Sequence, residues 1–382
     1  PMKPTTQATG FNTVLYTGTG ATQSITGVGF APDFIWLKAR TGSSYSHHLV
    51  DAVRGNNKFL MSNRTDAEKT STDQVTSFDA DGFSLGADSA GPNDREVNES
   101  TRPMVAWCWD AGGSTVTNTN GTIDSQVRAN PSTGFSIVTY AGDSASSATI
   151  GHGLGIAPKM VIVKGRNLAE GFPTQVDGTY GLRLNSTGAN DTANGNVFFA
   201  NTAPTTDVFT VGGSDEVNDN YNYVAYCFAD VTGYQKIGSY TGNGSTSGPT
   251  VTTGFRPAFV LIKNATTSGV SWVINDNTRG EGKDLNASDS NAESFPSPKR
   301  LTFTDTGFTL TSSANSVNQS GANHIYLAIA ETRDAKFNFD SSGNKNNWTP
   351  NNINSNASGE STYDLMSDVP TLTDEDTSNF AT

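Results

Sequence analysis

One order of motifs recurs three times along the 382 residues, and that recurrence limits the fold more than any other property of the chain. The first pass opens with Tyr16-Thr-Gly18 and Ile25, then Gly29-Phe-Ala-Pro32-Asp-Phe34-Ile-Trp-Leu-Lys38. The second has Tyr140-Ala-Gly142, Ile150 and Gly155-Ile-Ala-Pro158-Lys-Met160-Val-Ile-Val-Lys164. The third has Tyr240-Thr-Gly242, Val251 and Gly254-Phe-Arg-Pro257-Ala-Phe259-Val-Leu-Ile-Lys263. Thirteen residues after each lysine an aspartate opens a turn: Asp51-Ala-Val-Arg54-Gly55, Asp177-Gly-Thr-Tyr180-Gly181 and Asp276-Asn-Thr-Arg279-Gly280. Each pass closes on a Val-Asn pair, at Asn98, Asn218 and Asn318, followed by an apolar run centred on Ala106, Ala225 or Ala328. Units of about 100 residues exceed solenoid repeats, so each can bury a core of its own.

Within each unit the apolar runs have strand length. Phe34-Ile-Trp-Leu and Phe259-Val-Leu-Ile are continuous and bounded by proline on one side, as in strands buried on both faces. Gly82-Phe83 and Gly307-Phe308 mark hairpins, and no capped amphipathic helix stands out. The predicted fold is all-β: three tandem antiparallel β-sandwiches of jelly-roll or concanavalin-like type, with an extended C-terminal arm. The boundaries fall at 1–10 for an N-terminal extension, 11–112 for repeat 1, 113–129 for a linker, 130–232 for repeat 2, 233–335 for repeat 3 and 336–382 for the arm. The closing strand of repeat 1 should place Ala106 and Cys108 inside its sandwich and cover at least one of Trp107 and Trp109 with a neighbouring domain or subunit.

Composition removes several classes of function. With 24 Lys and Arg against 37 Asp and Glu, the net charge of −13 opposes binding to nucleic acid or an anionic membrane. Charged residues make up only 16% of the chain, so Asn, Ser, Thr and Gly must supply its polar surface. No run approaches the roughly 20 apolar residues that cross a bilayer, and Pro1–Gly10 lacks the apolar core of a signal peptide. The chain reads as soluble.

Candidate chemistry is sparse. The four histidines, His47, His48, His152 and His324, occupy no shared repeat position, and no Gly-x-Ser-x-Gly elbow presents a nucleophile. Asp79-Ala-Asp81-Gly82 resembles the start of a calcium loop without its downstream glutamate, and turn chemistry is the better reading. Cys108 and Cys227 sit in separate cores and read as buried thiols. The sharpest shared polar feature is the Asp-x-x-Arg turn, in which Asp51 with Arg54 and Asp276 with Arg279 form a candidate sugar-binding pair; an Asx-turn with an internal ion pair explains the same residues. These readings predict no catalytic residues, no metal and no cofactor.

The Tyr-x-Gly opening, the Gly-Phe-x-Pro-x-Phe-Val-x-Ile-Lys strand and the closing Val-Ala-Trp-Cys-Trp resemble a tandem β-domain of unknown function found in tail-fibre and virion structural proteins of marine tailed bacteriophages. Lys345-Asn-Asn-Trp348-Thr-Pro350-Asn-Asn352 resembles the connector that leads to a further β-domain in such proteins. The resemblance implies a non-enzymatic virion surface protein: a tail fibre, adhesin or capsid-decorating protein that contacts other virion proteins, copies of itself in a trimer or ring, and a host glycan. On that reading Trp348 anchors a subunit contact. The alternative is a set of carbohydrate-binding modules from a secreted bacterial protein.

Overall fold

The computed structural model describes residues 10–42, 44–87, 97–178, 180–191 and 197–331. The C-terminal arm, including Trp348, lies outside the described residues. Everything described is built from antiparallel strands joined by turns, with helix confined to short turns such as Asn315–Asn318.

Repeat 1 contains β1 (Phe11–Thr17), β2 (Gln23–Thr26), β3 (Phe34–Ala39), β4 (His48–Asp51), β5 (Lys58–Leu60), β6 (Lys69–Thr70), β7 (Val75–Asp79), β8 (Gly82–Leu85) and β9 (Pro103–Trp109). They form a large sheet ordered β1-β9-β3-β4-β5-β6 and a small sheet ordered β2-β8-β7. Repeat 2 contains β10 (Val116–Asn118), β11 (Ser125–Asn130), β12 (Phe135–Ala141), β13 (Ser147–Gly151), β14 (Pro158–Gly165), β15 (Pro173–Val176), β16 (Tyr180–Arg183), β17 (Val208–Gly212) and β18 (Asn222–Ala229). Its sheets run β10-β11-β12-β18-β14-β15-β16 and β13-β17. Repeat 3 contains β19 (Gln235–Thr241), β20 (Thr250–Thr252), β21 (Pro257–Asn264), β22 (Val273–Asp276), β23 (Leu285–Asn286), β24 (Leu301–Thr304), β25 (Gly307–Leu310) and β26 (Asn323–Ala330), in sheets β19-β26-β21-β22-β23 and β20-β25-β24. In every repeat the closing strand lies between the opening strand and the strand that carries the lysine.

The segment expected to be a linker is not one. Its residues form β10 and β11, which extend the large sheet of repeat 2, because Val127 faces the sandwich core and is buried there while Gln126 points to solvent.

Register also corrects the third closing strand. Lys38, Lys164 and Lys263 pair with Val105, Val224 and Ile325, so the three lysines stand at one place in the fold. The residue after each of those partners is Ala106, Ala225 and Tyr326. Ala328 therefore holds the position of Cys108 and Cys227, two residues beyond the position that the sequence pattern gives it. A run of alternating apolar residues allows that two-residue slip without changing which face each residue occupies.

The sequence signature that opens and closes each repeat is a latch. Tyr16, Tyr140 and Tyr240 donate their hydroxyls to the carbonyls of Val97, Val217 and Val317 at 2.7, 2.7 and 2.6 Å. The asparagine after each valine accepts from the loop beyond the tyrosine: Asn98 from Thr19 N–H at 3.1 Å, Asn218 from Asp143 at 3.0 Å and Asn318 from Asn243 at 2.8 Å. The glycine between them must lack a side chain. A Cβ on Gly18, Gly142 or Gly242 would lie 2.2, 2.1 or 2.3 Å from the carbonyl oxygen of Glu99, Asp219 or Gln319. Gly82 and Gly307 obey the same constraint, since a Cβ on either would fall 1.9 Å from a backbone oxygen of the neighbouring strand.

Alternation explains the continuous apolar runs. Ile35, Leu37, Ala106 and Cys108 face the small sheet of repeat 1, whereas Phe34, Trp36, Val105, Trp107 and Trp109 face away from it. The outward-facing set is also buried, because it meets the corresponding faces of repeats 2 and 3. Trp109 packs at ring-centroid distances of 6.2 Å from Phe135, 6.5 Å from Phe228 and 5.9 Å from Phe259, so all three repeats meet at one indole. Residues 10–331 thus hold a sandwich core in each repeat and one core common to all three.

The latch makes a direct prediction. Tyr140→Phe leaves the buried Val217 carbonyl without its donor and should lower stability by about 1–3 kcal/mol, while Gly142→Ala, which must displace backbone, should lower it further. Urea unfolding of the two variants checks this, and a neutral Gly142→Ala would show that the glycine is a turn preference only.

Candidate functional site

The Asp-x-x-Arg turns lie at the junctions between repeats. Asp51 ends β4, and its Oδ1 accepts from the backbone N–H groups of Val53 and Arg54 at 3.1 and 2.8 Å, an Asx-turn. Its Oδ2 accepts from Arg54 Nε at 2.5 Å and from the hydroxyl of Tyr226, in repeat 2, at 2.9 Å. Arg54 also donates to Glu68 at 3.0 Å, to the Leu49 carbonyl at 2.9 Å and to the Tyr226 oxygen at 3.0 Å. Arg166 of repeat 2 closes the cluster with two bonds of 2.9 Å to Glu68. Burial opposes the charge on Arg54, but Asp51, Tyr226 and Glu68 outweigh it and hold the guanidinium above its ordinary range. Glu68 lies below the ordinary carboxylate range, since Arg166 and Arg54 overcome the cost of its burial.

The same junction recurs between repeats 3 and 1. Arg279 donates to Asp276 at 2.5 Å and to Glu293 at 3.3 Å, Arg40 of repeat 1 holds Glu293 at 2.9 and 3.0 Å, and Trp107 Nε1 donates to Asp276 at 2.9 Å. Tyr226 and Trp107 occupy equivalent places on their closing strands, so two different donors serve the same acid position. The carboxylates and guanidinium groups of Asp51, Arg54, Asp276 and Arg279 are fully buried and bonded within the chain, and they present nothing to a sugar. Removing one partner of such a buried pair typically costs about 3–5 kcal/mol, because the remaining charge is left uncompensated.

Among the described residues the cluster is absent between repeats 2 and 3, and here the regular spacing in the sequence misleads. Phe34 pairs with Asp51 and Phe259 with Asp276, but Met160 pairs with Val176. Asp177 lies one position beyond, with φ +50°, largely exposed and ion-paired with Lys159 at 2.8 Å. The structural counterpart of the two aspartates is thus Val176. The counterpart of Tyr226 and Trp107 is Leu327, and both Val176 and Leu327 lie in the common core. Two apolar side chains stand where the other junctions have an acid and a donor, so no buried carboxylate is left without a donor.

The three lysines also belong to these junctions, a role that the sequence does not disclose. Each is buried and reaches a carbonyl on another repeat: Lys164 reaches Thr65 at 3.1 Å, Lys263 reaches Thr187 at 3.1 Å and Lys38 reaches Ser290 at 3.5 Å. The contacts run from repeat 2 to 1, 3 to 2 and 1 to 3, a closed cycle. Burial lowers both Lys164 and Lys263 to about 8. His47 Nε2 lies 2.9 Å from the Asn286 carbonyl and Trp272 Nε1 donates to the Arg183 carbonyl at 3.0 Å, so these equivalent positions also bridge repeats.

The remaining candidates are structural as well. Asp81 accepts from the N–H groups of Gly27 and Gly29 at 3.0 and 2.6 Å and so ties two loops together. Among the described residues no cluster of three or more His, Cys, Asp or Glu has the arrangement of a metal site. Cys108 and Cys227 are buried free thiols in different sandwich cores, and burial pushes Cys227 up to about 12.

Fold and junctions together define an all-β protein of three sandwiches locked around one core. Residues 6–333 match the Domain of unknown function (DUF7483), and the chain belongs to that family. The matched segment takes in all three repeats, so the family unit is the whole block. Comparison with curated proteins finds no match.

The lysines give a pH test with a definite sign. A lysine near 8 in the folded state and 10.5 in the unfolded state binds fewer protons when folded, so its contribution to stability rises with pH across that window. The buried thiols act with the opposite sign and cancel in a comparison against Lys164→Met. The stability of the wild type relative to that variant should grow between about pH 7.5 and 9.5 in urea titrations, and a difference independent of pH would place the folded-state lysine at its ordinary value.

Proposed function

We propose that this chain is a non-enzymatic virion structural protein, a phage tail fibre, adhesin or capsid-decorating component that helps hold the particle to a host-surface glycan. The observation that carries this reading is that the charged groups recurring between repeats are spent on holding the repeats together. Catalysis by acid, base or nucleophile needs a titratable side chain within reach of substrate, and here the strongest candidates are buried at the junctions. A block braced in this way suits a part that transmits load or presents a surface.

The outer faces of the small sheets support a neutral contact surface. Ser24 and Ser84 lie 3.0 Å apart across β2 and β8, and Thr250 and Thr309 lie 2.8 Å apart across β20 and β25, all on the solvent side. Hydroxyl-bearing faces of this kind suit contact with sugars or with other subunits. Association with further copies would use outer surfaces, because each repeat already touches the other two through its large sheet.

Immunogold electron microscopy with antibody against residues 10–331, applied to particles from a phage lysate that contains the chain, should label the virion surface. The purified chain should release no reducing ends from host polysaccharide. Unlabelled particles would remove the virion assignment, and turnover abolished by a single carboxylate substitution would replace it with a glycosidase.

A further inference from the structure

Repeat 2 departs from its neighbours in both of its sheets. Its large sheet carries β10 and β11 beyond β12, the strand that corresponds to the outermost strands β1 and β19 of the other repeats. Among the described residues its small sheet has two strands where the others have three. A groove of about 390 Å³ opens along β10 and β11. Concave sites of about 300–1,000 Å³ are the usual size for small ligands.

The lining is chemically specific. Val116 and Ala129 form an aliphatic floor above the buried Val127, and Val116 is 56% exposed although apolar. Asn118, Thr119 and Asn120 add amides and a hydroxyl along the rim. Gly153, at φ +72°, keeps the opposite wall bare, since a Cβ there would lie 2.8 Å from Val127 Cγ1. No side chain in the lining is ionisable, in a chain of net charge −13. A charged ligand would lose hydration there and gain no counter-charge.

A ligand that matches this lining is neutral, with hydrogen-bonding groups at its edges and a C–H face. We propose that the groove is a subsite for a neutral saccharide. The proposal rests on the glycan-contact reading above and gives it a location: the segment between repeats 1 and 2, which has no counterpart between repeats 2 and 3, supplies most of the wall.

Saturation-transfer-difference NMR on the purified chain tests it, with methyl β-galactoside and N,N′-diacetylchitobiose as neutral probes and galacturonate as the acidic one. Thr119 is exposed in the turn after β10, so Thr119→Arg fills the groove from a position that the sheet does not need. Thr246→Arg, in an exposed loop of repeat 3, is the control. At least one neutral probe should bind the wild type and the control equally and Thr119→Arg at least about tenfold more weakly, a loss of about 1.4 kcal/mol. Should circular dichroism show Thr119→Arg misfolded, Asn120→Lys reads the same site. No transfer to either neutral probe, equal binding by the groove variants, or preference for galacturonate would overturn the proposal. Labelled virions with no saccharide binding would remove the groove alone, and saccharide binding with unlabelled virions would remove the virion assignment alone.

Discussion

Each large sheet is apolar on both faces, and its own small sheet can cover only one of them. The face left over in repeat 1 carries Phe34, Trp36, Trp107 and Trp109, which in water would form an exposed patch of the kind that drives association. Here that face is buried against the equivalent faces of the other two repeats. Truncating any one of the large side chains at this common core would cost on the order of 3–5 kcal/mol. The cost would not be confined to one repeat, because a residue such as Trp109 touches rings from all three. The remainder of the structure serves this arrangement: the latches fix the closing strands, and the closing strands present the tryptophans.

The polar junctions set the register of that packing more than they add to its strength. Buried ion pairs recover little net energy over apolar replacements, and the chain contains its own comparison, since Val176 and Leu327 stand where the other junctions have an acid and a donor. The buried lysines act alongside them. A lysine whose ammonium reaches a carbonyl on the adjacent repeat is satisfied only when that repeat is in place, so each of the three penalises a displaced neighbour.

Much of this was legible in the sequence, and the places where it was not have physical reasons. Repetition of Tyr-x-Gly and Val-Asn announced three homologous units, but only coordinates show that tyrosine, glycine and asparagine of one unit close on a single latch. The strand runs were readable because burial on both faces demands continuous apolar residues. Spacing failed at Asp177, where one residue fewer separates the paired strands and an unrelated exposed aspartate falls at the expected distance. Composition failed between repeats 1 and 2, where a Thr- and Asn-rich stretch resembles a linker yet contributes two strands, because a strand at the edge of a sheet needs few apolar residues. The lysines gave no warning at all. A lysine that recurs at a strand end reads as a solvated terminus, and only the packing of another repeat over it reveals burial.

The central claim is that residues 10–331 fold as one unit, since the core common to the repeats cannot form from any one of them. Differential scanning calorimetry of the purified chain measures this directly, by comparing the calorimetric enthalpy with the van't Hoff enthalpy of the main transition. A common core predicts one transition with a ratio of about 1. Resolved transitions, or a ratio of about 3, would mean that the sandwiches unfold independently and that their contact faces contribute little to stability.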